Sequence, residues 1–519
     1  MTGAAGAGRV HTPADAFLAH ARTRPGDTAL VLRDEETSYG RLLDLVTRER
    51  ERLAALPAAA GEPVGVPAVK SPGTVALVLA CLLERRPVLL PAATLGREVL
   101  DRLYAGAGVR HVLTPGAAGT PGSTEPAEPA VSAVSVPAAV SVPVVEPAPV
   151  AVVPAGTALL LTTSGSTGLP KTVPLGAAAI TAFTDWAAGH FGIGPGTTVL
   201  NYAPLNFDLC LLDVWTTLAR GGRVVLVDPD RALQGPHLLD LVARYAPEVV
   251  QAVPMFYRLL ADAAREAGGR ALPGVRHAVF TGDAVPAPVL EELPRLLPGA
   301  RLSNVYGCTE TNDSFLHEVT DPAAPVPLGR PLPGVEALVV TADGTVLDGP
   351  GTGELYVSTP FQSEGYLGAA GNGAFGPDPR GPGAADGRRW FRSGDLVRRD
   401  ERGIHTLEGR TDFQVKVRGV RINPQEVEHV LLAHPEVAEA AVLALPDPVA
   451  GRLLHAVVRR SAGSALHSLA LRGHLARGLP RAAVPSTVRI TDEPLPRTST
   501  GKVDRDRVAR SLARTSKEN

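Results

Sequence analysis

The sequence predicts an α/β protein: a large N-terminal domain of layered sheets and helices carrying a β-rich subdomain, then a small C-terminal α/β domain. Three observations carry this prediction. Apolar strand-like runs alternate with helical spacing from residue 13 to about 110, and again from residue 158 onward, the pattern of sheets covered by helices. The 335–411 stretch is turn-rich with shorter strands. The last hundred residues restart the strand and helix alternation on a smaller scale. The boundary is placed at 411/412, giving domains 1–411 and 412–519.

The elements follow in chain order. Pro13 to Arg24 has helical spacing of Phe17, Leu18 and Ala21, and Thr28 to Leu32 reads as a strand. Ser71 to Arg85 reads as a buried helix and Pro87 to Leu90 as the apolar strand after it. From Pro115 to about residue 155 the texture becomes Pro/Ala/Val/Ser, and the regular prolines forbid helix or central strand. An extended surface loop or a Pro-rich docking segment for a partner would both read this way. Ala158 to Thr162, Thr197 to Tyr202, Arg223 to Val227, Glu248 to Ala252 and His277 to Phe280 read as buried strands. Asp343-Gly344 marks a hairpin turn. In the last section a helix over Pro424 to Ala433 and a strand over Val437 to Leu445 precede a further strand, helix and strand.

Composition narrows the function classes. The 519 residues, at about 150 per domain, suggest three to four structural units. Hydrophobic residues make up 45% and charged residues 20%, ordinary globular values. Fifty-one basic against 53 acidic side chains leave no field to attract nucleic acid or an anionic membrane. Cys81, Cys210 and Cys308 lie far apart, which argues against a disulfide framework or zinc cluster. The N-terminus has no apolar stretch long enough for a signal peptide, and the longest apolar run, Val75 to Leu83, is about half a membrane span. A soluble, cytoplasmic protein is expected. Among the basic residues only Lys70, Lys171, Lys416, Lys502 and Lys517 are lysine. In so Arg-biased a chain a retained lysine hints at a site that needs a compact ammonium, although Lys517 sits in the tail.

The most informative segment is LLLTTSGSTGLPKTVPL, residues 159–175. A strand runs into a Ser/Thr/Gly loop that ends at Lys171. Glycines let successive N–H groups converge and hydroxyls add donors, which suits phosphate oxygens; a solvated turn would share that composition. The spacing is not that of a P-loop, because Lys171 follows Gly168 by three residues.

TTSGSTGLPK resembles the phosphate loop of the adenylate-forming enzymes: acyl-CoA synthetases, luciferases and adenylation domains of nonribosomal peptide synthetases. Further segments resemble that family's motifs in its order: NVYGCTET (304–311), GELYV and GYLG (353–357 and 365–368), WFRSGDLV (390–397), GRTDFQVKVRGVRINPQEVE (409–428) and PRTSTGKVD (496–504). The resemblance spans residues 13 to 510. It implies activation of a carboxylate at the α-phosphate of ATP with release of pyrophosphate. Negative charge on the transferring phosphoryl group must then be met by fixed donors, a cation and a metal. The implied catalytic residues are Lys502, Glu310 and Thr309, with Glu310 holding Mg²⁺. The implied ATP contacts are Thr162, Thr163, Ser164, Gly165, Ser166, Thr167, Gly168 and Lys171 in the loop. Gly282, Asp283, Asn304, Val305, Tyr306 and Gly307 add further contacts, with Asp395 on the ribose and Arg410 steadying the nucleotide. Taken alone, Lys502 could be a solvated lysine, Asp395 an exposed turn former, and Tyr306 an adenine-stacking or a core residue. Asp412 resembles the family's pivot, about which a mobile C-terminal domain carries Lys502 away so that a thiol can approach. Thr172 stands where the family usually has glycine, and Cys308 where it commonly has proline; tuning rather than loss is expected.

The run APLNFDLCLLDVW (203–215) addresses the substrate. In amino-acid-activating members an Asp in this context pairs with the substrate's α-ammonium, which places Asp208 there; a helix N-cap is the alternative. FDLCLLD also resembles D-alanine:carrier-protein ligases, standalone enzymes of the family. Motif matching puts Leu209, Leu212, Ala252, Val279, Thr281, Val305, Asp313 and Ser314 around the side-chain pocket. Asp313 stands where an apolar residue is usual; a hydroxyl, a second amine, or a rim position facing water would each account for it. A small amino acid such as alanine, serine or proline is expected first, a diamino or β-amino acid second. About 17 residues follow Lys502, with no carrier domain, and no HHxxxD condensation motif precedes, so the expected thiol acceptor is a carrier protein acting in trans. An acyl- or aryl-CoA ligase and a catalytically dead scaffold are the competing readings. Asp208 weighs against the first, and retention of Lys502, Glu310, Asp395 and the loop against the second.

Overall fold

Thr12 opens the first helix, Pro13–Thr23, with a reciprocal cap: its hydroxyl accepts from the Asp15 N–H, and the Asp15 carboxylate accepts from the Thr12 N–H at 2.7 Å. Pro13 at the first helical position loses nothing by lacking an N–H. The helix Pro72–Leu83 starts from Ser71, whose hydroxyl accepts from the Thr74 N–H at 3.0 Å, and every residue from Thr74 to Leu82 is buried. A helix apolar on all sides needs cover on all sides, and this one sits in the main core of the molecule. The computed structural model of the chain describes residues 12–59, 61–116, 151–163, 170–368, 372–384, 387–410, 415–418, 420–447, 450–461, 463–496 and 503–515. Most of the Pro-rich segment and the expected boundary at 411/412 lie outside them.

Two sheets form the body of the large region. The nine-stranded sheet runs Arg330–Pro331, Asn312–Glu318, Arg301–Cys308, His277–Thr281, Val249–Ala252, Thr198–Asn201, Arg223–Leu226, Thr28–Leu32, Glu35–Ser38. From Arg301–Cys308 to Thr28–Leu32 the neighbours are parallel; antiparallel strands close both edges. The central strands Thr198–Asn201 and Val249–Ala252 are buried at every residue, as strands covered on both faces must be. The five-stranded sheet runs His111–Val112, Val64–Gly65, Val88–Leu89, Thr157–Thr163, Lys171–Gly176 and is parallel except for its last pair. The predicted strands thus form, within a residue or two of their expected ends.

The 336–410 section is wholly antiparallel, with Gly351–Ser358 and Trp390–Arg399 at its centre. Its turn at Asp343-Gly344 is tight: the Thr341 N–H donates to the Thr345 carbonyl at 2.9 Å, and Gly344 has φ +89°.

The C-terminal section forms a hairpin, Val415–Val417 with Val420–Ile422, and a three-stranded sheet of Val437–Asp447, Gly451–Arg460 and Thr487–Thr491. Helices Pro424–Leu432 and Ser468–Gly478 cover one face of that sheet, packing Val427, Leu471 and Leu475 on Val442 and Val458. A final helix, Arg505–Thr515, goes beyond the sequence reading. Its Val508 and Leu512 cover Ala441 and Val457 on the opposite face. Successive side chains of a strand point to opposite faces, so this sheet needs both covers.

Candidate active site

The parallel strands of the large sheet end on one edge, the place where open α/β sheets bind ligands. Ala252 and Thr281 close two adjacent strands there, paired through Ala252 to Phe280 and Thr281 to Val305. Gly282 follows with φ +85°, a left-handed turn open to glycine at little cost. It delivers Asp283, which burial pushes up and which faces Gly451 of the C-terminal section.

The hairpin of Arg301–Cys308 with Asn312–Glu318 supplies most of the remaining groups. Gly307 pairs with Asp313, and a Cβ at Gly307 would collide with the carbonyl of Asn312, so only glycine lets the two strands approach this closely. Asn304 Nδ2 donates to the Pro327 carbonyl at 2.8 Å. Tyr306 is buried edge-on against Phe315, with ring centroids 5.7 Å apart. Its hydroxyl donates to Asp395 Oδ2, and Lys416 Nζ lies 5.6 Å from its ring.

Asp395 is 6% exposed, which removes the reading of an exposed turn former. Its register partner Arg410 donates to Oδ1 and, at 3.0 Å, to the Ser393 carbonyl. Ser393 Oγ accepts from the Asp395 N–H at 3.0 Å. Among the described residues both carboxylate oxygens therefore have one side-chain donor each and keep lone pairs for further donors.

Glu310 is 3% exposed, and its Oε1 accepts from the Tyr366 hydroxyl at 2.6 Å. Lys171 Nζ sits 4.6 Å from the centroid of that same tyrosine ring. The 363–367 segment also donates through its backbone: the Ser363 N–H to the Glu310 carbonyl at 2.9 Å, and the Leu367 N–H to the Thr172 carbonyl at 2.8 Å. Tyr366 thus joins the end of the glycine-rich loop to the hairpin. It lies in GYLG, but its hydroxyl's partner 56 residues away could not be read from that motif.

Thr162 and Thr163 end the strand Thr157–Thr163, paired with Thr172 and Lys171. Thr163 Oγ1 is buried without a hydrogen-bond partner among the described residues, an open donor beside the loop. Ser164, Gly165, Ser166, Thr167 and Gly168, together with Asp412 and Lys502, lie outside the described residues. Among those described, no three His, Cys, Asp or Glu side chains form a metal cluster. A single carboxylate at Glu310 and unfilled donors at Thr163 fit a magnesium nucleotide, since Mg²⁺ is usually held by one or two carboxylates plus substrate phosphates.

The residues that the motifs assign to the side-chain pocket, Leu212, Ala252, Val279, Thr281 and Val305, are each 5% exposed or less, and Leu209 is half-buried. Residues Leu211–Thr216 form a π-type turn rather than a regular helix, the kind of irregularity that clusters at functional sites. Asp208 does not cap it: among the described residues its Oδ1 accepts from the adjacent Leu209 N–H at 3.1 Å, and the Thr309 side chain acts on the carboxylate. Burial, then the charge of Glu310, pushes the Asp208 carboxyl up to about 6. Asp313, half-buried by exposed surface, is pushed further, to about 8, by burial and by Asp208. Ser314 is fully buried and its hydroxyl donates to Thr311 Oγ1 and the Asn312 carbonyl.

Beneath this pocket lies a polar network the sequence reading left unassigned. Asp213, fully buried, accepts from Asn201 Nδ2 and Gln251 Nε2, each at 3.2 Å. Gln251 Nε2 also donates to the Leu209 carbonyl at 3.0 Å. Lys70 Nζ donates to the carbonyls of Asn201, Tyr202 and Val227 at 3.0–3.3 Å, and burial lowers it to about 8. The scarcity of lysine was the one sequence signal for Lys70.

Residues 17–367 match the family model described as AMP-binding enzyme, and residues 426–502 that of the AMP-binding enzyme C-terminal domain. The chain is 34% identical over 370 residues to an L-proline–[L-prolyl-carrier protein] ligase of Pseudomonas fluorescens, 70% of each chain. It is 30% identical over 365 residues to a D-alanine–D-alanyl carrier protein ligase of Bacillus velezensis, 68% of this chain and 70% of that one. It spans less than half of some longer curated relatives. Among solved structures, the amide bond synthetase McbA from Marinactinospora thermotolerans superposes with a TM-score of 0.78 at 25% identity, over 96% of this chain and 99% of that one. No helix among the described residues is long and apolar enough to cross a membrane. With 351 residues inside the first family match alone, the chain belongs to the AMP-binding enzyme family of adenylate-forming ligases.

Proposed function

We propose that the protein activates an amino acid as its aminoacyl adenylate and passes the acyl group, as a thioester, to a separate carrier protein. The observation that carries the amino-acid part is Asp208: a desolvated carboxylate among mostly aliphatic residues, with no cation beside it among the described residues. A buried charge is tolerated only when paired, and the α-ammonium of an amino acid supplies the missing partner. A fatty or aryl acid would leave that carboxylate unpaired. The relatives that load proline and D-alanine onto carriers support the same reading.

In this scheme a substrate carboxylate oxygen attacks the α-phosphorus of ATP and the bond to the pyrophosphate leaving group breaks. Asp395, held by Tyr306 and Arg410, accepts from the ribose hydroxyls. Thr163 and the following loop donate to phosphate, and Lys171 is held near them by Tyr366. Glu310 would hold Mg²⁺, which when bound offsets charge on the phosphates. Lys502 brings an ammonium to the transferring phosphoryl group, and Asp412 is the pivot between domains 1–411 and 412–519. A thiol then displaces AMP from the acyl carbon. The remaining nucleotide contacts (Gly282, Asp283, Asn304, Val305 and Gly307) belong to the same edge of the sheet. Amino-acid-dependent exchange of pyrophosphate into ATP, lost in Lys502→Ala while ATP binding persists, is the expected result; full exchange by that variant would remove Lys502 from the chemistry.

A further inference from the structure

We infer that Gln251 is a positioning residue for the amino-acid substrate: its side-chain amide ties the Leu209 backbone, and through it the Asp208 carboxylate, to the fully buried Asp213. This inference rests on the amino-acid reading above and deepens it, from the carboxylate that meets the ammonium to the group that holds that carboxylate in place. Gln251 is 1% exposed and lies on the strand Val249–Ala252, directly before Ala252, which the motifs assign to the pocket. Both hydrogens of its Nε2 are used: one goes to the Leu209 carbonyl at 3.0 Å, the other to Asp213 Oδ1 at 3.2 Å. Leu209 in turn donates its N–H to Asp208 Oδ1 at 3.1 Å. The N–H and the carbonyl of Leu209 flank a single Cα, so fixing the second restricts where the first can point. The Leu212 and Asp213 N–H groups also reach the Leu209 carbonyl, each at 3.2 Å, which leaves the Gln251 amide as its nearest donor among the described residues.

Filling the core would not call for this chemistry. Replacing both partners of a buried hydrogen bond by apolar groups of the same shape is often neutral or stabilising, yet polar side chains stand in line here. Asp213 Oδ2 accepts from Asn201 Nδ2 at 3.2 Å, and the Asn201 carbonyl accepts from Lys70 Nζ at 3.1 Å. Lys70 directs its other two bonds to the carbonyls of Tyr202 and Val227, just beyond the ends of the strands Thr198–Asn201 and Arg223–Leu226. An unbroken chain of bonds thus runs from the strand ends to Asp208. The turn it serves is irregular: Leu211–Thr216 winds as a π-type turn, and side chains help to satisfy the carbonyls around it. Thr216 Oγ1 donates to the Leu211 carbonyl at 2.6 Å, Thr217 Oγ1 to the Leu212 carbonyl at 3.4 Å, and Gln251 to that of Leu209. Desolvated hydrogen-bond networks rigidify what they join. Among the described residues, Gln251 is the side chain that bonds both to Asp213 and to the Leu209 backbone.

The test is steady-state pyrophosphate exchange by the full chain, for the wild type and Gln251→Met. The substrate is whichever of the protein amino acids and ornithine gives the fastest wild-type exchange, with octanoate and benzoate run alongside. Methionine keeps the length of glutamine and removes both donors. KM for the amino acid is expected to rise about 3- to 10-fold, the scale of one hydrogen bond, while KM for ATP and kcat stay within about twofold. A general loosening of the fold would move both Michaelis constants together; that result overturns the inference, as does an unchanged KM for the amino acid. In an Asp208→Asn background, Gln251→Met is expected to change kcat/KM by less than about twofold, and an effect of full size there would show that Gln251 does not act through Asp208. Gln251→Leu, a second shape without the amide, should repeat the split between the two Michaelis constants. Failure of both variants to bind ATP would make the amide a requirement of folding and overturn the positioning role. Each of these outcomes leaves amino-acid activation intact. A wild type that exchanges with octanoate or benzoate and with no amino acid removes that reading, and this inference with it.

Discussion

Asp208 illustrates how much one side chain can decide and how its environment could not be read from order alone. The motif assigned it to the pocket, but its lack of a counter-charge among the described residues and its proximity to Thr309, Glu310 and Asp313 arise from two segments about a hundred residues apart. The same holds for Asp395: its identity was legible in WFRSGDLV, whereas the Tyr306 hydroxyl reaches it across 89 residues. The raised carboxyl of Asp208 fixes the sign of the pH dependence. Asp208 must be ionised to pair with an ammonium, so KM for the amino acid should rise as pH falls below about 6, a trend that steady-state exchange at pH 5 to 8 would detect. Asp313 and Asp208 also titrate above their unfolded values, so ionising them costs native stability as pH rises from about 4 toward 8. Asp313→Asn removes part of that cost, and its Tm at pH 8 should exceed the wild-type value by a few degrees in calorimetry. Tyr366→Phe should weaken Mg²⁺-dependent ATP binding by roughly 10- to 100-fold, on the scale of one hydrogen bond to a charged group, while Mg²⁺-free ATP binding changes little. Equal weakening in both conditions by titration calorimetry would mean that Tyr366 does not act through Glu310.

At the scale of elements, apolar runs and proline or serine starts were enough to locate most strands and helices. Pro13–Thr23 and Pro72–Leu83 carry their caps in the sequence itself. Three elements escaped for physical reasons. Leu211–Thr216 has the composition of a helix, and its π-type winding, buried at every residue, shows only in the fold. Arg505–Thr515 has a mostly charged surface, so its two buried residues, Val508 and Leu512, are a weak signal until the sheet they cover is known. The antiparallel pair at Arg330–Pro331 is too short to stand out. The helix Pro72–Leu83 is the element on which the main core closes. Leu77→Ala there should cost about 2–5 kcal/mol and lower the midpoint of urea unfolding without changing the slope of the transition.

For the whole molecule, the fold class and the family were both legible, because motifs in a fixed order mark the edge where the sheets meet. What the order of motifs does not contain is the polar network under that edge. Lys70, Asn201, Asp213 and Gln251 come from four separate segments and are joined only by folding. Their arrangement holds the Leu209 backbone, and with it Asp208, at the mouth of the strands. The two-step scheme further requires a small domain that can present Lys502 and later withdraw it. The decisive experiment compares wild type with Asp208→Ala in pyrophosphate exchange driven by amino acids and by fatty and aryl acids. Amino acids should drive the wild type, and Asp208→Ala should lose at least about a hundredfold in kcat/KM for them while binding ATP normally. Exchange driven by fatty or aryl acids, undiminished in Asp208→Ala, would contradict the assignment.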